Sequence, residues 1–168
     1  GLSDKSHELL FLNNKLLVLS GGRIDEWGVL LCEGRKNFDI KEDKEIFDVA
    51  CSPDGRIVAT VLSDHSVLFW DADSGVLIRV IHSHNKLDVI KVVFFPDGDF
   101  FLALGKGGLC KFQTCTGMAI WDYKYGGDCG VKCASFSRDG KLIVIASSDG
   151  VIILLDSRTG LPIGGSRY

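Results

Sequence analysis

The sequence predicts an all-β protein made of about four copies of one unit, each a small sheet of four antiparallel strands. Three observations carry this. The turn glycines Gly55, Gly98 and Gly140 lie 43 and 42 residues apart, and a second set, Gly75, Gly117 and Gly160, keeps spacings of 42 and 43. Between these markers apolar and polar residues alternate with a period of two, which sends successive side chains to opposite faces of a strand. No stretch keeps a 3.6-residue period with caps at its ends, so no helix is expected.

Each copy reads strand, turn, strand, turn, strand. The clearest are "SPDGRIVATVLSDHSVLFWDADSG" from Ser52, "FPDGDFFLALGKGGLCKFQTCTG" from Phe95 and "SRDGKLIVIASSDGVIILLDSRTG" from Ser137. The first strand alternates, with Val49 and Cys51, Val92 and Phe94, then Ala134 and Phe136 on one face. An Asp-Gly turn follows, where glycine accepts positive φ without steric cost. The second strand ("RIVATVL", "DFFLALG", "KLIVIAS") is almost wholly apolar, which predicts burial on both faces. The third ("SVLFWD", "GLCKFQ", "VIILLD") is rich in β-branched and aromatic residues, as strands are. The third strand is expected to bury Trp70, Phe112 and Leu155 at equivalent sites.

A weaker copy opens the chain, where "NNKLLVLSGGRIDEWGVLLCEG" keeps the strand-turn-strand order with Asn13 and Asn14 in place of Asp-Gly. Four units then account for all 168 residues, divided at about 1–40, 41–83, 84–126 and 127–168.

Units of 40 to 45 residues with four strands each, and a Trp-Asp pair (Trp70-Asp71) closing the third strand, resemble the blades of WD-repeat β-propellers. Phe112-Gln113 and Leu155-Asp156 are the counterparts of that pair. The resemblance is strongest from Glu45 to Gly160. It implies a tetrad of His, Ser or Thr, Asp and Trp in each blade. Carried over by position, the second copy supplies Thr60, Asp64 and Trp70, with Lys41 where the His would fall. The third supplies His84, but Leu104, Lys106 and Phe112 replace the rest. The last retains Asp149, with Ile145 and Leu155 elsewhere. The blades are therefore expected to depend on apolar packing more than on polar networks.

Composition and motifs narrow the function. A net charge of −3 argues against nucleic acid as a partner, and the polybasic runs that bind membrane surfaces are absent. Apolar stretches such as "LLFLNNKLLVL" break well before the ~18 residues of a membrane-spanning helix. The six cysteines (Cys32, Cys51, Cys110, Cys115, Cys129, Cys133) lack the spacing of paired zinc knuckles and read as reduced structural thiols. The Gly-rich "GKGGLCKF" lacks the order of a phosphate loop and is read as a turn. Asp64, His65 and Ser66 are neighbours on a tight turn, where adjacent side chains diverge, so no nucleophile-base pair is expected. No catalytic residue, metal or cofactor is assigned.

The resemblance implies that partners bind the face formed by the turns holding Asp64, Lys106 and Asp149 and by the loops entering each inner strand. The matching positions are Lys44, Glu45, His65, Asn85, Lys86, Asp88 and Lys132. Trp121, Tyr123 and Tyr125 alternate on an outer strand, either as a binding surface or, preferably, as packing against the adjacent blade. The expected function is a non-enzymatic scaffold that positions proteins or peptides in a complex, in the cytoplasm or nucleus. The alternative is a regulatory propeller segment whose enzyme or NTPase lies outside this chain. Gly1 in place of an initiator Met, and four blades with uncapped apolar ends, lead us to expect a stretch of a longer propeller or an arc completed by self-association.

Overall fold

A computed structural model describes residues 8–12, 15–19, 44–82, 87–126 and 129–167, all of it strands and turns. β1 (Glu8–Leu12) and β2 (Lys15–Leu19) form an antiparallel pair with Leu12 opposite Lys15. Three four-stranded antiparallel sheets follow in chain order. The first comprises β3 (Ile46–Cys51), β4 (Ile57–Leu62), β5 (Val67–Asp71) and β6 (Leu77–Ile81). The second comprises β7 (Asp88–Phe94), β8 (Phe100–Lys106), β9 (Gly108–Gln113) and β10 (Ala119–Lys124). The third comprises β11 (Val131–Phe136), β12 (Leu142–Ser147), β13 (Val151–Asp156) and β14 (Pro162–Arg167). Within each sheet the strands pair in chain order, so β3, β7 and β11 are the inner edges and β6, β10 and β14 the outer ones. β3 packs on β7, and β11 on β7 and β8, which stacks the sheets face to face.

The turns explain the recurring Ser, Asp and Gly. Ser52 Oγ donates to Asp54 Oδ1 (2.6 Å) and accepts from the Ile57 amide (2.9 Å), and Ser137 repeats both bonds with Asp139 and Leu142. At the other turn Asp71 Oδ1 accepts from the Ser74 amide and hydroxyl, as Asp156 does from Thr159. The Asp of the Trp-Asp pair is thus a turn cap.

Alternation along the strands places one cluster between each pair of sheets. Between the first two lie Ala59, Val61, Val67 and Phe69 on one side and Phe94, Phe101 and Phe112 on the other. Phe69 meets Phe101 edge-on at 5.0 Å between ring centroids, and Phe101 stacks on Phe112 at 5.1 Å, both favourable aromatic geometries. Between the second and third sheets lie Leu102, Leu104 and Leu109, facing Ile143, Ile145 and Leu155. Lys111 is buried in this second interface. Its ammonium sits 4.3 and 4.0 Å from the Phe95 and Phe100 ring centres and donates to Ser157 O at 3.1 Å. Burial pushes its pKa below the usual lysine range, while the rings and the carbonyl accommodate the charge.

Burial on both faces holds for β4 from Val58 to Leu62 and for β8 from Phe101 to Gly105. In β12 it fails: Ile143 and Ile145 are fully buried, but Val144 between them is 42% exposed, and Ile152, diagonal to it on β13 and opposite Ala146, is 38% exposed. The equivalent Ala59 and Val67 of the first sheet are 0% and 2% exposed. The difference has a simple cause. Each earlier sheet is covered by the next, and among the described residues no sheet follows the last.

Trp70, Phe112 and Leu155 are buried in the third strand of their sheets, opposite Val58, Phe101 and Ile143. Trp70→Ala, Phe112→Ala and Leu155→Ala should each cost about 2–5 kcal/mol, read from urea unfolding. Val76→Ala, at a mostly exposed side chain, should stay within about 0.5 kcal/mol.

Candidate partner-binding surface

One end of the stacked sheets carries the β4–β5, β8–β9 and β12–β13 turns and the starts of the inner strands. Backbone and side chains pin these together in the same way in two sheets. The Ser63 amide donates to Glu45 O (2.7 Å) and the Glu45 amide to Ser63 Oγ (3.2 Å). Ser148 and Gly130 repeat the pair at 3.0 and 3.2 Å.

The aspartates of this end brace their turns. Asp64 Oδ1 accepts from Ser66 Oγ (2.6 Å) and the Ser66 amide (3.0 Å), and Oδ2 lies 3.0 Å from Lys44 Nζ. Burial alone would raise this carboxyl, but the Ser66 hydroxyl, the Lys44 ammonium and the Ser66 amide together hold it at about 2. Asp149 Oδ1 accepts from Tyr125 OH at 2.7 Å and from Ser147 Oγ. Lys44, just before β3, and Tyr125, just after β10, thus donate to the two aspartates. Within the first sheet Trp70 Nε1 donates to Thr60 Oγ1 at 3.0 Å, one link of the tetrad. Lys41, His84, Asn85 and Lys86 lie outside the described residues.

The Asp64-His65-Ser66 run makes no triad. Ser66 Oγ is spent on Asp64, and the His65 Nδ1–H donates to Val89 O of the next sheet at 2.9 Å. His65 is the one non-glycine among the described residues at positive φ (65°), a position taken by Gly150 (79°) in the last sheet. Its bond to the neighbouring inner strand offsets the strain of that conformation.

Each inner strand is bulged at its start. Ile46 pairs with Leu62 and Asp48 with Val61, leaving Phe47 as the extra residue; Ile90 and Lys132 are extra in β7 and β11. A bulge re-aims its residue away from the regular ladder. Phe47 is accordingly 44% exposed on a strand whose next alternate residue, Val49, is buried, and its ring lies 5.8 Å from that of His65. Phe47, Val49 and Cys51 alternate, so the pattern by itself puts Phe47 on the face of Val49, and the register shift is what separates them. Glu45, Asp88, Lys106 and Lys132 are exposed at this same end.

The alternating aromatics of β10 are not a solvent-facing stripe. Trp121, Tyr123 and Tyr125 pack, partly buried, against the cluster shared with the last sheet. Trp121 Nε1 donates to Ser157 O at 3.2 Å.

Among the described residues no three His, Cys, Asp or Glu side chains gather as metal ligands, and no helix is long and apolar enough to cross a membrane. Burial raises the Cys51 thiol to about 11, and burial with the Asp122 charge raises Cys110 to about 12, so both are inert thiols.

The Asp64 carboxyl is depressed below its usual 3.8, so the stability it adds is complete above that value and is lost as pH falls toward 2. Asp64→Asn should therefore lower the urea midpoint at pH 7, with the gap from the parent chain narrowing as pH falls from about 4 toward 2.

Comparison with known proteins agrees with this architecture. The family described as "WD domain, G-beta repeat" matches residues 36–71 and 120–156. The chain is 31% identical over 97 residues to the target of rapamycin complex subunit wat1 of Schizosaccharomyces pombe, covering 56% of this chain and 30% of that protein. It is 29% identical over 119 residues to the WD repeat-containing protein 26 homolog of Drosophila melanogaster, covering 67% and 19%. Over 131 residues it is 28% identical to eukaryotic translation initiation factor 3 subunit I of Emericella nidulans, covering 68% and 38%. Among solved structures, the computationally designed Ika8 protein superposes with a TM-score of 0.75 at 21% identity, covering 94% of this chain and 48% of that one. The RRP9 WD40 repeats give 0.67 at 16% identity, covering 76% and 40%. The chain spans less than half the length of each of these proteins. With matched repeats, three successive four-stranded sheets and this shared fold, the chain has the repeats and the fold of the WD-repeat β-propeller family.

Proposed function

We propose that this chain is a non-enzymatic interaction scaffold, a segment of a WD-repeat propeller that positions protein partners in a complex. The observation that carries the reading is the repeated bulge. At one end of the sheets, each of three inner strands carries one residue outside the ladder that dictates its neighbours: Phe47 and Lys132, both exposed, and Ile90, half-buried. Braced turns hold that end rigid, and an exposed aromatic flanked by charges is the composition of a binding hot spot. Glu45, His65, Asp88 and Lys132 contribute to this surface in the proposal, with Lys44, Asp64 and Asp149 as its bracing. Relatives named as subunits of a target of rapamycin complex and of a translation initiation factor support a role inside multiprotein assemblies, in the cytoplasm or nucleus.

A photoreactive phenylalanine analogue at position 47 should crosslink a defined protein in cell extract, whereas one at position 138, on the opposite turns, should not. The crosslink should weaken about fivefold or more in Lys132→Glu. Equal labelling from both positions would refute the assignment of this end.

The uncovered face of the last sheet supports a second part of the reading: completion of the ring by further blades or by self-association. Val144 and Ile152 occupy positions that the first sheet buries under its neighbour. Soluble monomers rarely leave apolar patches beyond a few hundred Å2 open. In sedimentation velocity the chain should associate in the micromolar range, and Val144→Glu with Ile152→Lys should shift it toward monomer. A monomeric parent chain at high concentration would remove self-association from the proposal.

A further inference from the structure

A second surface lies on the circumference, away from the turn end. Between β6 and the β9–β10 turn runs an open groove of about 520 Å3. Its floor is the buried Phe112 and Ile81; its walls include Val80 and Met118, 41% and 65% exposed. The ionisable side chains that line it, Arg79 and His82, are both basic, and among the described residues no carboxylate joins them. Arg79 spends donors on the backbone carbonyls of Cys115 (2.8 Å) and Thr116, which bind the guanidinium without cancelling its charge.

The repeat itself shows what fills such a groove. Arg79 stands four residues after Gly75, and Trp121 four after Gly117. Each reaches across to the following sheet. At the second interface the indole of Trp121 lies so close to Gly160 that a Cβ there would sit 2.6 Å from the ring. At the first, the nearest atoms to a Cβ on Gly117 belong to the aliphatic stem of Arg79 and to the Ile81 side chain. Where the second interface carries its own aromatic, the first carries a cation beside apolar walls left open.

We propose that this groove binds an extended segment of a partner protein, which lays an aromatic side chain over Phe112 and Met118 and sets an acidic residue beside Arg79 and His82. β6 is the outer strand of its sheet, and among the described residues no strand pairs with its outward edge. An extended peptide can pair there while its side chains enter the groove. The bulge that displaces Ile78 confines regular pairing to Arg79–Ile81, which suits a short motif.

The test is an amide-resolved NMR titration of the 168-residue chain with the peptide Ac-Glu-Trp-Glu-NH2 and its charge reversal Ac-Lys-Trp-Lys-NH2. Saturable shifts should concentrate at Arg79–Ile81 and Thr116–Ala119. The glutamate peptide should bind about fivefold more tightly, the size of one or two exposed charge pairs, and the preference should shrink at high salt. Met118→Glu, at an exposed side chain that the fold does not need, should weaken the glutamate peptide by at least about fivefold with amide dispersion intact. Shifts that miss these residues, equal affinity for both peptides, or unchanged affinity in Met118→Glu would each overturn the proposal. None of these results depends on the turn-end surface, whose own crosslinking test stands or falls separately.

Discussion

The face-to-face stacking of sheets is the constraint on which the rest depends. β4 and β8 are apolar on both sides, and a strand of that kind is stable only between two layers. Once Ala59, Val61, Val67 and Phe69 must be covered, a second sheet has to lie against them, and its own far face then demands a third. The arc follows from this propagation. So does its unfinished end at Val144 and Ile152, which have the residue types of an interface and the exposure of a surface.

Each interface is also clipped by polar bonds at both ends of the strands, and the clips differ. Between the first two sheets, His65 reaches Val89 O at one end and Arg79 reaches Cys115 O at the other, with the buried Asp48 accepting from the Val92 amide between them. Between the second and third, Tyr125 bonds Asp149 at one end, while Trp121 and Lys111 converge on Ser157 O at the other. The acceptors are mostly backbone carbonyls, which are present whatever the sequence. This is why the family's His-Ser-Asp-Trp set can erode while the blades stay together. Any side chain long enough to bring an N–H or O–H across can serve.

The same economy separates scaffold from binding surface. Residues inside the ladder are dictated by their neighbours, whereas a bulged residue is released from both pairing and packing. Phe47 and Lys132, and on the outer strands Ile78, Ile120 and Ile163, are the released positions, while Ile90 leaves the ladder but stays half-buried. Outer bulges also interrupt the exposed edge, which blunts edge-to-edge aggregation. Variation at inner bulges changes what the turn end presents without disturbing a core residue.

By itself the sequence determined the strands, their order and the turns between them, because each is a local matter. Alternation sets the faces, Asp-Gly and Asp-Ser-Gly set the turns, and the 42- to 43-residue spacing sets the unit. Trp70, Phe112 and Leu155 were legible as buried equivalents for the same reason. What only the tertiary structure decided are contacts between sheets and shifts of register. Spacing on the outer strand could not say whether Trp121, Tyr123 and Tyr125 face solvent or the next blade; the stacking turned them inward. Nor could it show that Lys44 and Tyr125 would serve the aspartates, since donor and acceptor lie 20 to 24 residues apart and meet only in the fold. Phe47 was hidden by a one-residue bulge, and a slip of one residue reverses the face on which a side chain emerges.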